Sequence, residues 1–395
     1  MTAVIFEALN AGHGDCLLLR LPGPTDAEEL ILVDGGPRLA KCADGQSFRP
    51  TGELIRRLGM LASGVPPAIM LDAVVCTHID DDHIAGIEWL YQCLSGDQKL
   101  PAGAPEISAP TLWFNSFSKL IKPVEAEAAA LLATTPKAIA ASVRQGESLT
   151  SAAVKIGAAI NPGAQGGLIT AGYQPPGFHQ AQISVVAPNE AALRRLQKAW
   201  LDDLEEKKAK LKPGTAAITA SLPAAKLDQA IPNLSSIAML VECGGKTILL
   251  TGDARGDHIL AGLQEMNKLN NGKLHVNLLK VPHHGAEGNN PPEFLEAVTA
   301  DHYVFCANGK DQNPDPPVLE LVAAQAKAGR KFTMHFTNGD MKYEPRPKGA
   351  MPQLGGADCA SLRQAIQYLQ KDAHVKTNVT FSFRDPKDPS LIIRL

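Results

Sequence analysis

Between positions 78 and 83 the sequence His78-Ile79-Asp80-Asp81-Asp82-His83 sets two imidazoles and three carboxylates on one short stretch. Imidazole nitrogens and carboxylate oxygens are the side-chain donors that divalent metals take. Adjacent carboxylates repel one another, and a cation relieves that repulsion. The pattern H-x-D-x-D-H therefore reads as a metal-binding loop. The alternative is a capping cluster, because aspartates ahead of a helix stabilise its N-terminus; the two flanking histidines exceed what a cap needs. Two further groups share this chemistry. Asp253 closes Leu249-Leu250-Thr251-Gly252-Asp253, where its two oxygens could bridge two cations, and His283-His284-Gly285 follows an apolar run. Singly, an aspartate after glycine is a turn residue and a histidine pair a surface feature. Together with the first cluster they supply a complete ligand set.

The elements that must position these residues follow from hydrophobic periodicity. Residues 71–76 (LDAVVC) form an apolar run of the kind buried in parallel sheets. Residues 84–94 continue with helical spacing, so the metal loop lies between a strand end and a helix, where α/β sheets carry their ligand sites. Segments 3–9 and 15–21 flank Asn10-Ala11-Gly12-His13-Gly14 as a hairpin, and the strand at 30–33 is stopped by Asp34-Gly35-Gly36. A second hairpin, 236–242 with 246–250, turns at Cys243-Gly244-Gly245 and leads into Asp253. Strand 278–281 precedes the histidine pair. Helices are expected at 52–61, 257–269, 292–298, 317–328 and 360–370, with strands at 302–306, 331–336, 379–383 and 391–395. Over 100–182 the signal is weaker: a helix pair at 124–143, then a glycine- and proline-rich loop at 161–177. A charged helix at 190–212 ends in a lysine run that reads as a solvated terminus, and 215–232 reads as a connector.

The chain has 395 residues, 45% of them hydrophobic, with 38 basic and 41 acidic side chains and a net charge of -3. That balance supports a sizeable core and argues against attachment to nucleic acid or anionic lipid by bulk charge. No run approaches the length of about 18 apolar residues that a transmembrane helix needs, so no membrane insertion is expected. The first residues lack a basic stretch followed by an apolar one, so no signal peptide is expected. The seven cysteines are scattered without a CxxC pair, which disfavours a disulfide framework or a cysteine zinc site and makes the cytoplasm the default compartment.

The motifs GHGDCLLL, ILVDGG, THIDDDHIAG, NLSSIAML, LLTGDA and LKVPHHGA occur in that order. The series resembles the metallo-β-lactamase-fold hydrolases, nearest the branch containing the C-terminal domain of the ComEC DNA-uptake proteins and their free-standing soluble relatives. The resemblance covers residues 3–95 and 233–310. It implies an α/β (α+β) fold, a four-layer αββα sandwich with a dinuclear metal site at one edge. Ligands from 78, 253 and 283 must then meet in one site, so the chain reads as a single domain with an insertion over about 100–232 covering the cleft. The resemblance places His78 and Asp80 at the first metal and Asp82 and His83 at the second. Asp253 falls at the bridging carboxylate and one of His283 and His284 at the last histidine, with His283 favoured. Asp15 and Asp34 fall beside the site, where they orient ligands. His13 reads as a polar turn residue, with a proton shuttle as the alternative.

Departures from the family pattern also carry expectations. Asp80 stands where much of the superfamily has histidine, which shifts preference from zinc toward manganese, magnesium or iron. No residue matches the histidine that usually completes the first metal's shell; His179, in a loop, is the one histidine between 83 and 253. Asn313 and Asp315 flank Pro314 where relatives carry a histidine before proline, and Lys310 reads as an exposed loop lysine with a phosphate contact as the alternative. His335, at a strand end, reads as a surface position with the cleft as its alternative. The implied activity is hydrolysis of a phosphodiester or nucleic acid by a hydroxide activated between two divalent ions (zinc, manganese or magnesium), with Asp82 and Asp253 as the catalytic carboxylates. Asp80, Asp82 and Asp253 would offset three of the four positive charges. The competing readings are a hydrolase of a small molecule (cyclic nucleotide, lactone or lactam) and a non-catalytic metal-binding module of a defence or uptake complex.

Overall fold

The run Leu17-Leu18-Leu19-Arg20-Leu21 is apolar on both faces of a strand, and the structure uses both. The computed structural model describes residues 3–24, 27–41, 46–116, 137–164, 167–194, 232–343 and 351–395. Its main strands are β1 (Ile5–Leu9), β2 (Leu17–Pro22), β3 (Glu28–Val33), β4 (Ala73–Cys76), β5 (Thr111–Phe114), β6 (Ala159–Ile160) and β7 (Ala181–Ala187). They continue with β8 (Ala238–Cys243), β9 (Lys246–Leu250), β10 (Leu274–Lys280), β11 (Val298–Phe305), β12 (Phe332–Phe336), β13 (Val379–Phe383) and β14 (Ser390–Arg394). Two seven-stranded sheets result, ordered β6-β5-β4-β3-β2-β1-β14 and β7-β8-β9-β10-β11-β12-β13. In the first, β14, β1, β2 and β3 pair antiparallel, whereas β3, β4, β5 and β6 pair parallel. In the second, β7, β8 and β9 are antiparallel and β9 through β13 parallel.

Alternation along the strands divides the core into three layers. Leu17, Leu19, Ile31, Val33 and Val75 of the first sheet meet Met239, Val241, Ile248, Leu250 and Leu278 of the second, so the sheets pack face to face. The opposite face of the first sheet, with Leu18, Leu32, Val74 and Cys76, takes helices α1 (Pro50–Leu61), α2 (Asp81–Leu94) and α3 (Lys137–Lys155) through Leu54, Leu58, Ile84, Ile87, Leu90 and Leu149. The outer face of the second sheet takes α4 (Gly256–Glu265), α5 (Pro292–Ala297), α6 (Pro316–Ala324) and α7 (Leu362–Leu369) through Ile259, Leu263, Phe294, Leu319 and Leu362. Mixed α/β architecture is thus observed, with helices outside two packed sheets.

The expected strands and helices flanking the metal motifs are present, with ends displaced by a few residues. Within 100–232, strands β5 and β6 lie in the first sheet and β7 edges the second, while α3 packs against α2. The lysine run at 207–212, residues 215–231 of the connector expected at 215–232 and residues 124–136 of the helix pair expected at 124–143 lie outside the described residues. No helix among the described residues is long and apolar enough to cross a membrane.

Candidate metal centre

The sheets bring the ligand-bearing turns to one end of the sandwich. β3 and β4 run parallel and deliver Asp34 and His78 from neighbouring C-terminal ends; β2, antiparallel to β3, begins at the same edge just after Asp15. In the second sheet β9 and β10 are parallel and deliver Asp253 and the His283-His284 pair. All four residues of β4 are buried, so its C-terminal turn is held rigidly. Asp80 occupies the N-cap position of α2, yet its carboxylate makes no capping hydrogen bond. The capping alternative therefore does not account for it; Asp80 Oδ2 lies 3.6 Å from His78 Nε2.

Oδ2 of Asp253 is the point of convergence. His83 Nε2 lies 3.3 Å from it, His283 and His284 Nε2 each 3.5 Å, and His78 Nε2 4.0 Å. Asp82 Oδ2 lies 3.5 Å from His284 Nε2 and 3.8 Å from His83 Nε2. The ligand atoms of His78, His83 and Asp253 lie within 4.8 Å of one another, as do those of Asp82, His83 and His284 and those of Asp15, Asp253 and His284. Such groups could hold metal ions. Nε2 of His78, His83 and His284 is buried without a hydrogen-bond partner. A buried polar nitrogen left bare costs about 1–3 kcal/mol, and a cation at this point would satisfy all three at once.

The rings of His78, His83 and His283 are hydrogen-bonded from behind through Nδ1, which leaves Nε2 for the centre. His83 Nδ1 donates to Asp34 Oδ2 at 2.8 Å, and Thr77 gives that carboxylate its N–H and hydroxyl at 2.8 and 2.7 Å. With its hydrogen spent on Asp34, the Thr77 oxygen accepts from His78 Nδ1 at 3.0 Å. His283 Nδ1 donates to Asn289 Oδ1 at 2.8 Å, and His284 Nδ1 faces Asp15 Oδ1 at 3.5 Å. Asp253 is fixed at its main chain: its N–H donates to Ser236 Oγ and its carbonyl accepts from Asn289 Nδ2, both at 2.9 Å.

Burial alone would push the His83 imidazole down, but Asp253, Asp34 and Asp82 outweigh it and hold the ring well above its usual value. The same contest leaves His284 raised to about 9, against Asp253 and Asp15. Asp253 sits well below the carboxylate range because His83, His284 and His283 overcome its burial. Protons on these rings hold the place of positive charge that a divalent ion would take, so metal uptake displaces them.

The backbone stores strain here. His283 and His284 have φ of 46° and 56°, consecutive left-handed non-glycine residues of the kind that cost on the order of 1–3 kcal/mol each and cluster at functional sites. That kink lets both consecutive rings reach Asp253, edge to face with centroids 5.8 Å apart. His284 is buried between Asp82 and Asp253, whereas His283, with 28% of its side chain exposed, meets Asp253 alone among these carboxylates. Gly14 permits a close approach: a Cβ there would collide with the Asp82 carbonyl, which also accepts from Asp15 N at 3.2 Å.

His13 lies on the rim, within electrostatic reach of Asp82, His284 and Lys310; burial first, then the Lys310 ammonium, lowers it to about 4. His179 is remote from the centre. Its main-chain N–H donates to Glu29, at the start of β3, whereas Asp34 follows that strand's other end. His335 pairs with His302, ring nitrogen to ring nitrogen at 2.9 Å, in place of lining the cleft.

Sequence reasoning passed over Lys280. Its side chain is fully buried, with Nζ 2.5 Å from Asp15 Oδ2, 2.9 Å from the Gly252 carbonyl and 3.7 Å from Asp253 Oδ1. The available signal was a lysine closing an apolar strand just ahead of the histidine pair. Thr77, Ser236 and Asn289 were also missed, being ordinary turn residues by type.

Fold and site together define a mixed α/β protein whose two sheets converge on a histidine–aspartate group suited to divalent metal. ComE operon protein 3 of Bacillus subtilis (strain 168) is 36% identical to this chain over 98 residues, which is 24% of this chain and 12% of that relative. Among solved structures, the crystal structure of a protein of unknown function from Enterococcus faecalis V583 aligns over 98% of this chain and 79% of its own, with a TM-score of 0.31 and 11% identity. The chain matches no family model.

Proposed function

We propose that this protein is a metal-dependent hydrolase of the metallo-β-lactamase fold and that its substrate is a phosphodiester, with DNA or RNA the leading class. The observation that carries this reading is the convergence of four imidazole Nε2 atoms on one oxygen, Asp253 Oδ2, with three of the rings hydrogen-bonded from behind. A structural metal site gains nothing from carboxylates left open to solvent, whereas the side chains of Asp80 and Asp82 are 33% and 26% exposed and leave the centre reachable. The order of the motifs, with the 36% identity to ComE operon protein 3, supports a nucleic acid over other phosphodiesters.

Divalent cations in such a site supply Lewis acidity toward a phosphoryl oxygen and lower the pKa of a water. His78, Asp80, Asp82, His83, Asp253 and His284 would hold them, with His283 at the exposed edge. Asp34 and Asp15 keep His83 and His284 oriented. His13, neutral at pH 7, is placed to take or pass a proton at the rim. The charge balance differs from that expected from three aspartates: Asp15 and Asp34 join Asp80, Asp82 and Asp253, and Lys280 cancels one of the five. Four net negative charges remain, equal to two dications. The loaded centre is neutral toward an incoming phosphodiester, and the metal-free one repels it.

The test is a cleavage assay of the purified protein on plasmid, single-stranded DNA, RNA and bis(p-nitrophenyl) phosphate with added Mn²⁺, Mg²⁺ or Zn²⁺, alongside Asp82→Ala and His83→Ala. Cleavage by the wild type and its loss in both folded variants is the expected result. Equal rates in all three proteins would sink the reading. Turnover confined to a cyclic nucleotide, lactone or lactam would move the substrate to a small molecule.

A further inference from the structure

The four histidine nitrogens face one oxygen of Asp253, and the other oxygen faces Lys280. Lys280 closes β10, on the inward side of the strand, and no part of its side chain reaches solvent. A buried ammonium is retained only where acceptors surround it. Here the Gly252 carbonyl accepts a hydrogen bond from it at 2.9 Å, and Asp15 Oδ2 at 2.5 Å and Asp253 Oδ1 at 3.7 Å surround it as ionic partners. Two of these acceptors belong to consecutive residues of one turn, and the third belongs to the carboxylate behind His284. The ammonium therefore touches both the turn that carries the convergent oxygen and the group that aims a histidine at it.

We propose that Lys280 is the internal counter-cation and a positioning residue of the metal centre: its charge lies against Asp15 Oδ2 and within ion-pair distance of Asp253 Oδ1, and so favours the orientation in which Asp253 presents Oδ2 to the ligand nitrogens. This inference rests on the metal centre of the preceding section and not on the substrate assigned to it. With Lys280 in place, the carboxylates match two divalent ions. Without it, Asp253 is free to turn both oxygens toward the centre, and Asp15 is left as an unpaired buried anion.

A bare Lys280→Met change strands Asp15 and endangers folding, so the decisive protein is the charge-neutral double variant Lys280→Met/Asp15→Asn. Asparagine keeps an acceptor toward His284, and the net charge of the pocket is unchanged. The double variant, Lys280→Arg and the wild type are titrated with Co²⁺, read through its visible ligand-field bands, and with Mn²⁺ by equilibrium dialysis; thermal unfolding is followed in parallel. The expected result is a double variant that unfolds near the wild-type temperature, binds one of two cations about tenfold or more weaker, and shows altered Co²⁺ bands, with Lys280→Arg closer to the wild type. A double variant with wild-type affinity and bands would overturn the proposal and reduce the pair to a structural salt bridge. A wild type that binds two cations but cleaves no phosphodiester removes the phosphodiesterase reading and leaves this inference standing.

Discussion

His83 and Asp253 face each other across the junction of the two sheets, Nε2 to Oδ2 at 3.3 Å. One comes from the first turn of α2 on the outer side of the first sheet, the other from the turn after β9 in the second. Neither sheet alone assembles the site. The inter-sheet layer around Val33, Val75, Ile248 and Leu278 is what holds the two turns at this distance, which ties the metal chemistry to the folding of the whole sandwich.

Asp34 sets the direction of His83 without standing among the convergent atoms. Asp34→Asn keeps the left-handed backbone, which asparagine tolerates, but turns an amide hydrogen toward either Thr77 or His83. Metal affinity is expected to fall about 10–100-fold, the usual effect of losing such a partner, with most of the fold's stability retained. A competition titration with a chromophoric chelator measures it; unchanged affinity would show that the Asp34 bond is dispensable.

Gly14 is required by the approach of its loop to Asp82. Gly14→Ala places a methyl group on the Asp82 carbonyl and is expected to cost about 1–3 kcal/mol in urea unfolding, with reduced metal content. Gly52 in α1 is the control, because a Cβ there meets nothing within 4 Å. Gly52→Ala should be neutral or stabilising by up to about 1 kcal/mol, with full metal content. Equal behaviour of the two variants would contradict the packing assigned to Gly14.

Glu7 ties four elements together away from the candidate metal site. Arg57 reaches its two oxygens at 2.6 and 2.7 Å, Arg20 at 3.0 Å and Ser390 at 3.0 Å, joining β1 to α1, β2 and β14. Burial raises its pKa, but the two guanidiniums and the hydroxyl overcome that and hold it below the ordinary value. The folded state thus binds this proton more weakly than the unfolded chain. The stabilisation is complete above the ordinary carboxylate range and is lost as pH falls through the lowered folded value. Glu7→Gln should lose about 3 kcal/mol at pH 7 and flatten the acid limb of the stability curve. A variant with the wild-type acid limb would remove Glu7 from that role.

How far the sequence carried the site depended on locality. The H-x-D-x-D-H cluster was legible because its members lie within one strand–helix junction, and Asp253 and the histidine pair because each closes an apolar run. Lys280 was passed over because a strand-ending lysine is ordinarily solvent-exposed; its partners Asp15 and Gly252 lie far away in sequence. Sheet membership of β5, β6 and β7 was equally obscure. β6 has two residues, and β7 is placed by pairings such as Gln182 with Glu242 that no local pattern announces. The choice between His283 and His284 had no local basis either, since the left-handed backbone of both residues belongs to the folded turn.

The most direct test of the metal centre is anomalous diffraction from crystals grown with Mn²⁺, collected at the manganese edge. The account predicts a strong peak within about 2–2.3 Å of His83 Nε2, His284 Nε2 and Asp253 Oδ2, with Lys280 still beside Asp253 Oδ1. Stoichiometric manganese bound elsewhere, with these nitrogens bare, would contradict it.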